Sequence, residues 1–352
     1  MIKRTFHVKH ILALLPAFVL LAGCASAPTQ AVPTAEATFF AMDTVMNLRI
    51  YEGGDEGVLT DAEARVRELE ALWSVTGEGS EIYALNHAGA AELSPETADL
   101  LDTALGMCQR TDGALDISIY PVLRAWGFTT GEYAVPDGET LSALLSCVDY
   151  TQVAQDGTYA ALPEGMEIDL GSVAKGCTGW WLSWLLRENG VTSALLDLGG
   201  NIQAVGAKPD GSPWRVGVRD PAGDGNIGVV EVVDQAVITS GGYERYFEQD
   251  GVRYWHILDP KTGQPARSGL SSVTVVGGTG AVGDTGAVCD ALSTALFVLG
   301  REGALDFWRR YRAEWDFELV LVEDGGAVTV TAGLENTFML GQKGRVLTIA
   351  QP

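Results

Sequence analysis

The stretch GGTGAVGDTGAVCDALSTALFVLG, residues 277–300, decides the fold. Gly278, Gly280 and Gly283 spell G-x-G-x-x-G, the run SSVTVV precedes them, and a helical pattern follows. In a dinucleotide-binding fingerprint such glycines join a strand to a helix inside a βαβ unit, with an acidic residue about twenty positions on to take a ribose. Glu302 stands near that distance. The chain before the motif argues against this reading. From Val191 it runs through SALLDLGG, NIQAVGA, WRVGVRDP, GVVEVVDQAVITSGG and RYWHILDP, with turns such as KPDGSP between them. Short strands punctuated by Gly, Pro and Asp pair antiparallel through tight turns. Strands and helices come in blocks, so the expected fold class is α+β, with mixed, mainly antiparallel sheets and packed helices. The glycines become an approach loop, and Asp290, at the start of an apolar helix, needs another explanation.

The helices are legible from period and caps. DAEARVRELEALWSV puts Val66, Leu69, Leu72 and Trp73 on one face. Ser94 and Pro95 open a second helix as cap and first-turn proline, with Leu100, Leu101, Ala104, Leu105 and Cys108 as its buried stripe and Gly113 beyond its end. LSALLSCV is a further short helix. MEIDLGSVAKGCTGWWLSWLLRENG reads as a strand turning through glycine into a helix that ends at Gly190, with Trp180, Trp181 and Trp184 in the core. FFAMDTVMNLRIY reads as one strand, and a last helix runs from Asp290 to about Trp308 before the strands ELVLVE and AVTVTA.

At 352 residues and 47% hydrophobic, the chain is neither a disordered tail nor a polytopic membrane protein. MIKRTFHVKH is a basic n-region and ILALLPAFVLLAG an h-region, ending in Leu21-Ala22-Gly23-Cys24, which resembles the bacterial lipobox. The expected organisation is a lipoprotein signal peptide at 1–23, a flexible tether at 24–38 and a single catalytic domain at 39–345. Cys24 would carry the lipid on the outer face of the bacterial cytoplasmic membrane. Without residues 1–23 the chain has 20 basic against 46 acidic residues, which excludes nucleic acid as a partner. An anionic ligand then needs a local device: a cation, backbone N–H groups or a placed lysine. Cys108, Cys147, Cys177 and Cys289 form no C-x-x-C, and only His87 and His256 remain beside them, so a zinc site is not expected.

Several residues carry candidate chemistry. Asp290 and Thr294 lie one helical turn apart on one face, and two hard oxygens at that spacing suit Mg²⁺. An Asp at a helix start is also a common cap. His256, in YWHILDPKTGQPA, is the natural general-base candidate. Lys175, in DLGSVAKG, stands at a helix N-terminus, where a phosphate finds a counter-charge. Asp169 and Asp116 precede turns and either shape them or accept from a ligand.

Together AMDTVMNLRIY, TDGALDISIYPVLRAWGF, IDLGSVAKG, LLDLGGNIQAVGAKPDGSPWRVGVRDP, ITSGGYERYF, HILDPKTGQP and CDALSTALFVLG resemble, in order, the FAD:protein FMN transferases (ApbE-like flavin transferases). The resemblance runs from about Phe39 to Gly341. It implies two intertwined subdomains, Mg²⁺ as cofactor and FAD as substrate. By resemblance the metal ligands fall on Asp290, Thr294 and the backbone carbonyl of Ser172. The flavin contacts fall on Met42, Ala114, Leu115, Asp116, Asp169 and Lys175, with His256 near the reacting phosphate and, with Asp290, catalytic. The implied reaction moves FMN from FAD to a Ser/Thr hydroxyl of an acceptor protein and releases AMP. Two departures stand out. Thr76 replaces an aromatic residue after the first helix, and Ala287 stands where a further acidic metal ligand would lie, in a longer glycine loop. Water as nucleophile would instead make an FAD pyrophosphatase. A flavin-binding lipoprotein would hold FAD without consuming it, and a scaffold lipoprotein would ignore Mg²⁺.

Overall fold

In the computed structural model, which describes residues 31–278, 285–341 and 344–352, nine strands lie side by side in chain order. They are β1 (Ala35–Ala41), β2 (Thr44–Glu52), β3 (Ser193–Leu198), β4 (Asn201–Val205), β5 (Gln235–Gly241), β6 (Leu270–Gly278), β7 (Phe317–Glu323), β8 (Val328–Thr331) and β9 (Leu347–Ala350). Every neighbouring pair is antiparallel except β8 and β9. The strand before the glycines, β6, pairs antiparallel on both sides, Val275 opposite Ile238 and Leu319. That arrangement has no βαβ crossover, and the dinucleotide reading falls with it. Gly280 and Gly283 themselves lie outside the described residues.

Among the described residues there are seven helices: α1 (Glu56–Trp73), α2 (Glu81–Ala88), α3 (Pro95–Arg110), α4 (Tyr120–Ala125), α5 (Gly138–Leu145), α6 (Ala174–Glu188) and α7 (Thr285–Trp315). One face of the sheet packs on helices: Ile238, Val273, Val275, Leu319 and Leu321 share a core with α3 and α7. The other face meets a three-stranded sheet of Trp214–Arg219, Asn226–Val232 and Phe338–Leu340, through Val237, Val276, Val320 and Val322. Alternate residues therefore enter different cores, and β6 is buried on both faces. This explains its nearly continuous apolar run. Helices α2 to α5, with the short strands Ala90–Glu92, Ala154–Asp156 and Tyr159–Ala161, form a lobe between β2 and α6 in the chain. Residues Val32–Pro352 are nonetheless one compact unit. The fold is α+β, as expected.

The caps form where the sequence places them. Asp55 accepts from the N–H groups of Gly57 and Val58 at the start of α1, whose Leu59, Ala62, Val66, Leu69 and Trp73 are buried while Leu72 is only partly so. Ser94 Oγ accepts from Thr97 N–H at the start of α3. Leu100, Leu101, Ala104 and Cys108 are buried there, and Leu105 is partly so. Gly113, at φ 70°, donates to the Cys108 carbonyl. Cys177 and Cys289 are buried too, and Cys147 half-buried. Burial pushes the Cys108 thiol up to about 12, which makes it inert.

Five expectations are corrected. FFAMDTVMNLRIY is a hairpin, not one strand: Met42 and Asp43 take φ 49° and 58° and turn β1 into β2 without a glycine to announce it. The sheet begins at Ala35, inside the segment read as a tether, and ends past position 345. MEIDL is no strand, because Asn86 and Ile117 take its backbone groups. Asn86 donates to the Ile168 carbonyl and accepts from its N–H, both at 2.8 Å, and Asp169 N–H donates to the Ile117 carbonyl. The α6 tryptophans do not fill the core, and Trp184 is 50% exposed. Helix α6 meets α7 at Gly176 and the sheet at Gly179, its buried face includes Gly176, Cys177, Gly179, Leu182 and Ser183, and the large rings are left at the rim. Finally, α7 opens at Thr285 and breaks at Gly300, at φ 72°. Asp290 is therefore inside a helix and is not its cap.

Candidate active site

A cleft of about 800 Å³ opens among the β1–β2 turn, the end of α1, the loop before α4, the start of α6, the β3–β4 turn and α7. That size falls in the ~300–1,000 Å³ range of small-molecule sites. All ten nominated ligand and metal residues line it: Met42, Ala114, Leu115, Asp116, Asp169, Ser172, Lys175, His256, Asp290 and Thr294. They come from five separated segments. His87 does not join them; it stacks on Tyr83 at the surface of α2. Cys24 lies outside the described residues.

The close crossing of α6 and α7 builds one end of the cleft. A Cβ on Gly176 would run into the Gly286 carbonyl, and the converse holds for Gly286. With both bare, Gly176 N–H reaches Asp290 Oδ2 at 2.8 Å. Helix α6 has no side-chain cap from its own N-cap residue; Ala174 N–H donates to the Leu170 carbonyl and Gly176 N–H to Asp290, and the positive dipole end of the helix lies at the cleft. Asp290 is 4% exposed. Burial raises its carboxyl above the usual range, against Lys175 and the Gly176 N–H, which favour the ionised form. The Asn201 amide also favours it, without reaching good hydrogen-bond geometry. Thr294 follows one turn later, its Oγ1 3.3 Å from Ser240 Oγ. Ser172 lies in the turn that leads into α6.

His256 follows directly on the strand Val252–Trp255, and its Nδ1 is 3.2 Å from the Arg245 carbonyl. A carbonyl only accepts, so we assign the proton to Nδ1 and leave the Nε2 lone pair available. Desolvation, helped by the Arg245 and Lys175 charges, pushes its pKa down to about 4. The imidazole is thus neutral at physiological pH. Asp169 accepts from Gly171 N–H at 2.7 Å. Enclosure raises its carboxyl, while that N–H, Arg245 and Lys175 oppose the rise. Asp116 has a structural task. It accepts from Ser118 N–H at 2.9 Å, Ser118 Oγ–H at 2.6 Å and Tyr150 N–H at 3.2 Å, which fixes the loop presenting Ala114 and Leu115.

Sequence reasoning missed several lining residues, among them Glu70, Trp73, Phe128, Asn201, Tyr243, Glu244 and Arg245. The segment ITSGGYERYF held three of them in plain view. Glu70 gave no signal, since it sits on an otherwise ordinary helix. Thr76 does line the cleft, as do the aromatic residues Trp73, Phe128 and Tyr243. Ala287 is buried in α7. Among the described residues no group of three or more His, Cys, Asp or Glu is placed to hold a metal. One buried carboxylate, one hydroxyl and one carbonyl still fit Mg²⁺, which takes few protein oxygens and keeps its other positions for water and substrate phosphates.

Comparison with known proteins identifies the family. A model of the ApbE family matches residues 42–317. A FAD:protein FMN transferase of Treponema pallidum is 35% identical over 293 residues, which cover 76% of this chain and 79% of that protein. One from Klebsiella pneumoniae is 30% identical over 349 residues, covering 94% and 97%. The crystal structure of an ApbE protein from Thermotoga maritima matches with a TM-score of 0.76 and 32% identity, over 84% of this chain and 96% of that one. The apo flavinyl transferase ApbE of Pseudomonas stutzeri gives 0.74 and 29%, over 88% and 98%. With a matching family model over most of its length, and these relatives, the chain belongs to the ApbE family.

Proposed function

We propose that this chain is a FAD:protein FMN transferase. It transfers FMN from FAD to a Ser/Thr hydroxyl of an acceptor protein, forming a phosphoester-linked flavin and releasing AMP. The observation that carries the reading is the convergence of Asp290, Thr294, Lys175, His256 and the start of α6 on one cleft. A strongly acidic chain needs such a cluster to hold a pyrophosphate. The acceptor oxygen bonds to the FMN-side phosphorus, the bond from that phosphorus to the bridging oxygen breaks, and AMP leaves with that oxygen. Phosphoryl transfer depends on positioning and charge neutralisation. Asp290, Thr294 and the Ser172 carbonyl would hold Mg²⁺, which would supply that neutralisation. Lys175 adds a positive charge, and the positive end of the α6 dipole favours the anion. His256 Nε2 accepts the proton of the attacking hydroxyl, or holds that hydroxyl in line.

Turnover is tested by AMP release from FAD, with Mg²⁺ and again with a chelator. The transferase predicts release only with Mg²⁺ and only in step with acceptor. Release at the same rate without acceptor would make the chain a pyrophosphatase; binding without release would make it a carrier.

The pH profile gives a second check. A histidine held near 4 stays neutral down to about that pH, and protonation removes its only acceptor. We expect kcat/KM, which reports the free enzyme, to show no histidine inflection between pH 8 and 5 and to fall near 4. An acid limb near 6.5 that disappears in His256→Gln would contradict the assignment.

The N-terminal residues support a lipid anchor at Cys24 that holds the enzyme on the outer face of the bacterial cytoplasmic membrane. Incorporation of labelled fatty acid into the wild-type chain but not Cys24→Ala tests this. Label in both would dismiss it.

A further inference from the structure

The lip of the cleft is made by two consecutive non-glycine residues in the left-handed region, Met42 and Asp43 at φ 49° and 58°. Such residues avoid that region, and a turn built from two of them persists only where its surroundings hold it. Three contacts do so here. Thr178 Oγ1 lies 3.6 Å from Met42 Sδ. Thr44 fits against Gly199, where a Cβ would collide with its hydroxyl. Glu70 Oε1 accepts from Met42 N–H at 2.6 Å, the one charged hydrogen bond of the three.

Glu70 is out of character with its surroundings. Its neighbours on the inner face of α1, Val66, Leu69 and Trp73, are buried and apolar, while Glu70 is half-buried and lines the cleft. Packing alone gives no reason for a carboxylate there. The corner beyond it, with Met42, Trp73, Val75 and Leu115, is apolar and suits a flat ring better than a phosphate.

We propose that Glu70 is a positioning residue: its carboxylate fixes the Met42–Asp43 turn and thereby places that lip against the flavin ring of FAD. This inference rests on the transferase reading. Glu70 touches the turn and acts through it; the chemistry stays with Asp290, Thr294, Lys175 and His256.

Reach and charge can be separated. In E70Q the amide oxygen still reaches Met42 N–H; in E70D the charge stays but the side chain is one methylene short. FAD binding is read by flavin fluorescence, kcat and KM by AMP release, and folding by thermal midpoint. We expect E70D to raise Kd and KM for FAD about tenfold with kcat nearly unchanged, the loss of one hydrogen bond to a charged group. E70Q is expected to stay within about threefold of wild type. E70D binding FAD like wild type would overturn the proposal, as would E70Q losing affinity while E70D keeps it. Wild type that binds no FAD would instead remove the transferase reading beneath it.

Discussion

Asp290→Asn is expected to leave a folded protein whose FAD turnover has fallen on the order of 10³-fold, the scale on which charge stabilisation operates in phosphoryl transfer. The substitution preserves shape, and Asn Oδ1 can still accept from Gly176 N–H. What goes is the negative charge, the only carboxylate among the proposed metal ligands. Stability is expected to move the other way. Burial raises the folded-state pKa of Asp290, so the ionised group opposes folding, and the metal-free protein loses stability as pH rises through the ordinary carboxyl range to that raised value. Asparagine removes this cost, and the thermal midpoint at neutral pH should rise. A purely structural Asp290 would give the opposite pattern, with a lower midpoint and turnover lost only in proportion to unfolding. Assay and melting curve on one sample decide between them.

The second large effect is expected from Gly176→Ala. The new Cβ would strike the Gly286 carbonyl and come within 2.8 Å of Asp290 Cβ, both parts of α7 that cannot swing aside. Alanine is the better helix former, by about 1 kcal/mol, but forcing two helices apart costs about 1–3 kcal/mol or more. The net loss of stability should be accompanied by near-complete loss of turnover, because the same separation draws Gly176 N–H away from Asp290. Gly179→Ala is the control. Its Cβ would meet Leu198 Cδ1 at 3.1 Å, the end of a side chain that can yield, and it should lose far less. Equal losses in the two variants would show that the crossing is not what places Asp290.

The fold was readable where local chemistry and tertiary structure agree. Turn signals such as KPDGSP between short strands marked an antiparallel sheet, and that overruled the glycine motif. Where a long-range partner decides, the sequence was silent. Met42 and Asp43 form a turn because Glu70, 28 positions away, holds it. MEIDL is kept out of a sheet by Asn86, some 82 positions away. The α6 tryptophans look like core until α7 and the sheet claim the glycine face. Asp290 looks like a cap because Thr285 and Gly286 do not look like helix. The site shows the same division. Asp290, Thr294, His256, Lys175, Asp116 and Asp169 stand out by their own chemistry, and Met42, Ala114, Leu115 and Ser172 came from the resemblance. Glu70 became visible only once α1 was placed against the β1–β2 hairpin.

The most direct test of the account is the intact mass of an acceptor protein after incubation with FAD, Mg²⁺ and the chain from Ala25 onward. The account predicts an acceptor heavier by one FMN less water, attached at a Ser or Thr, with one AMP released per adduct and neither product from Asp290→Asn. AMP accumulating beside an acceptor of unchanged mass would contradict it.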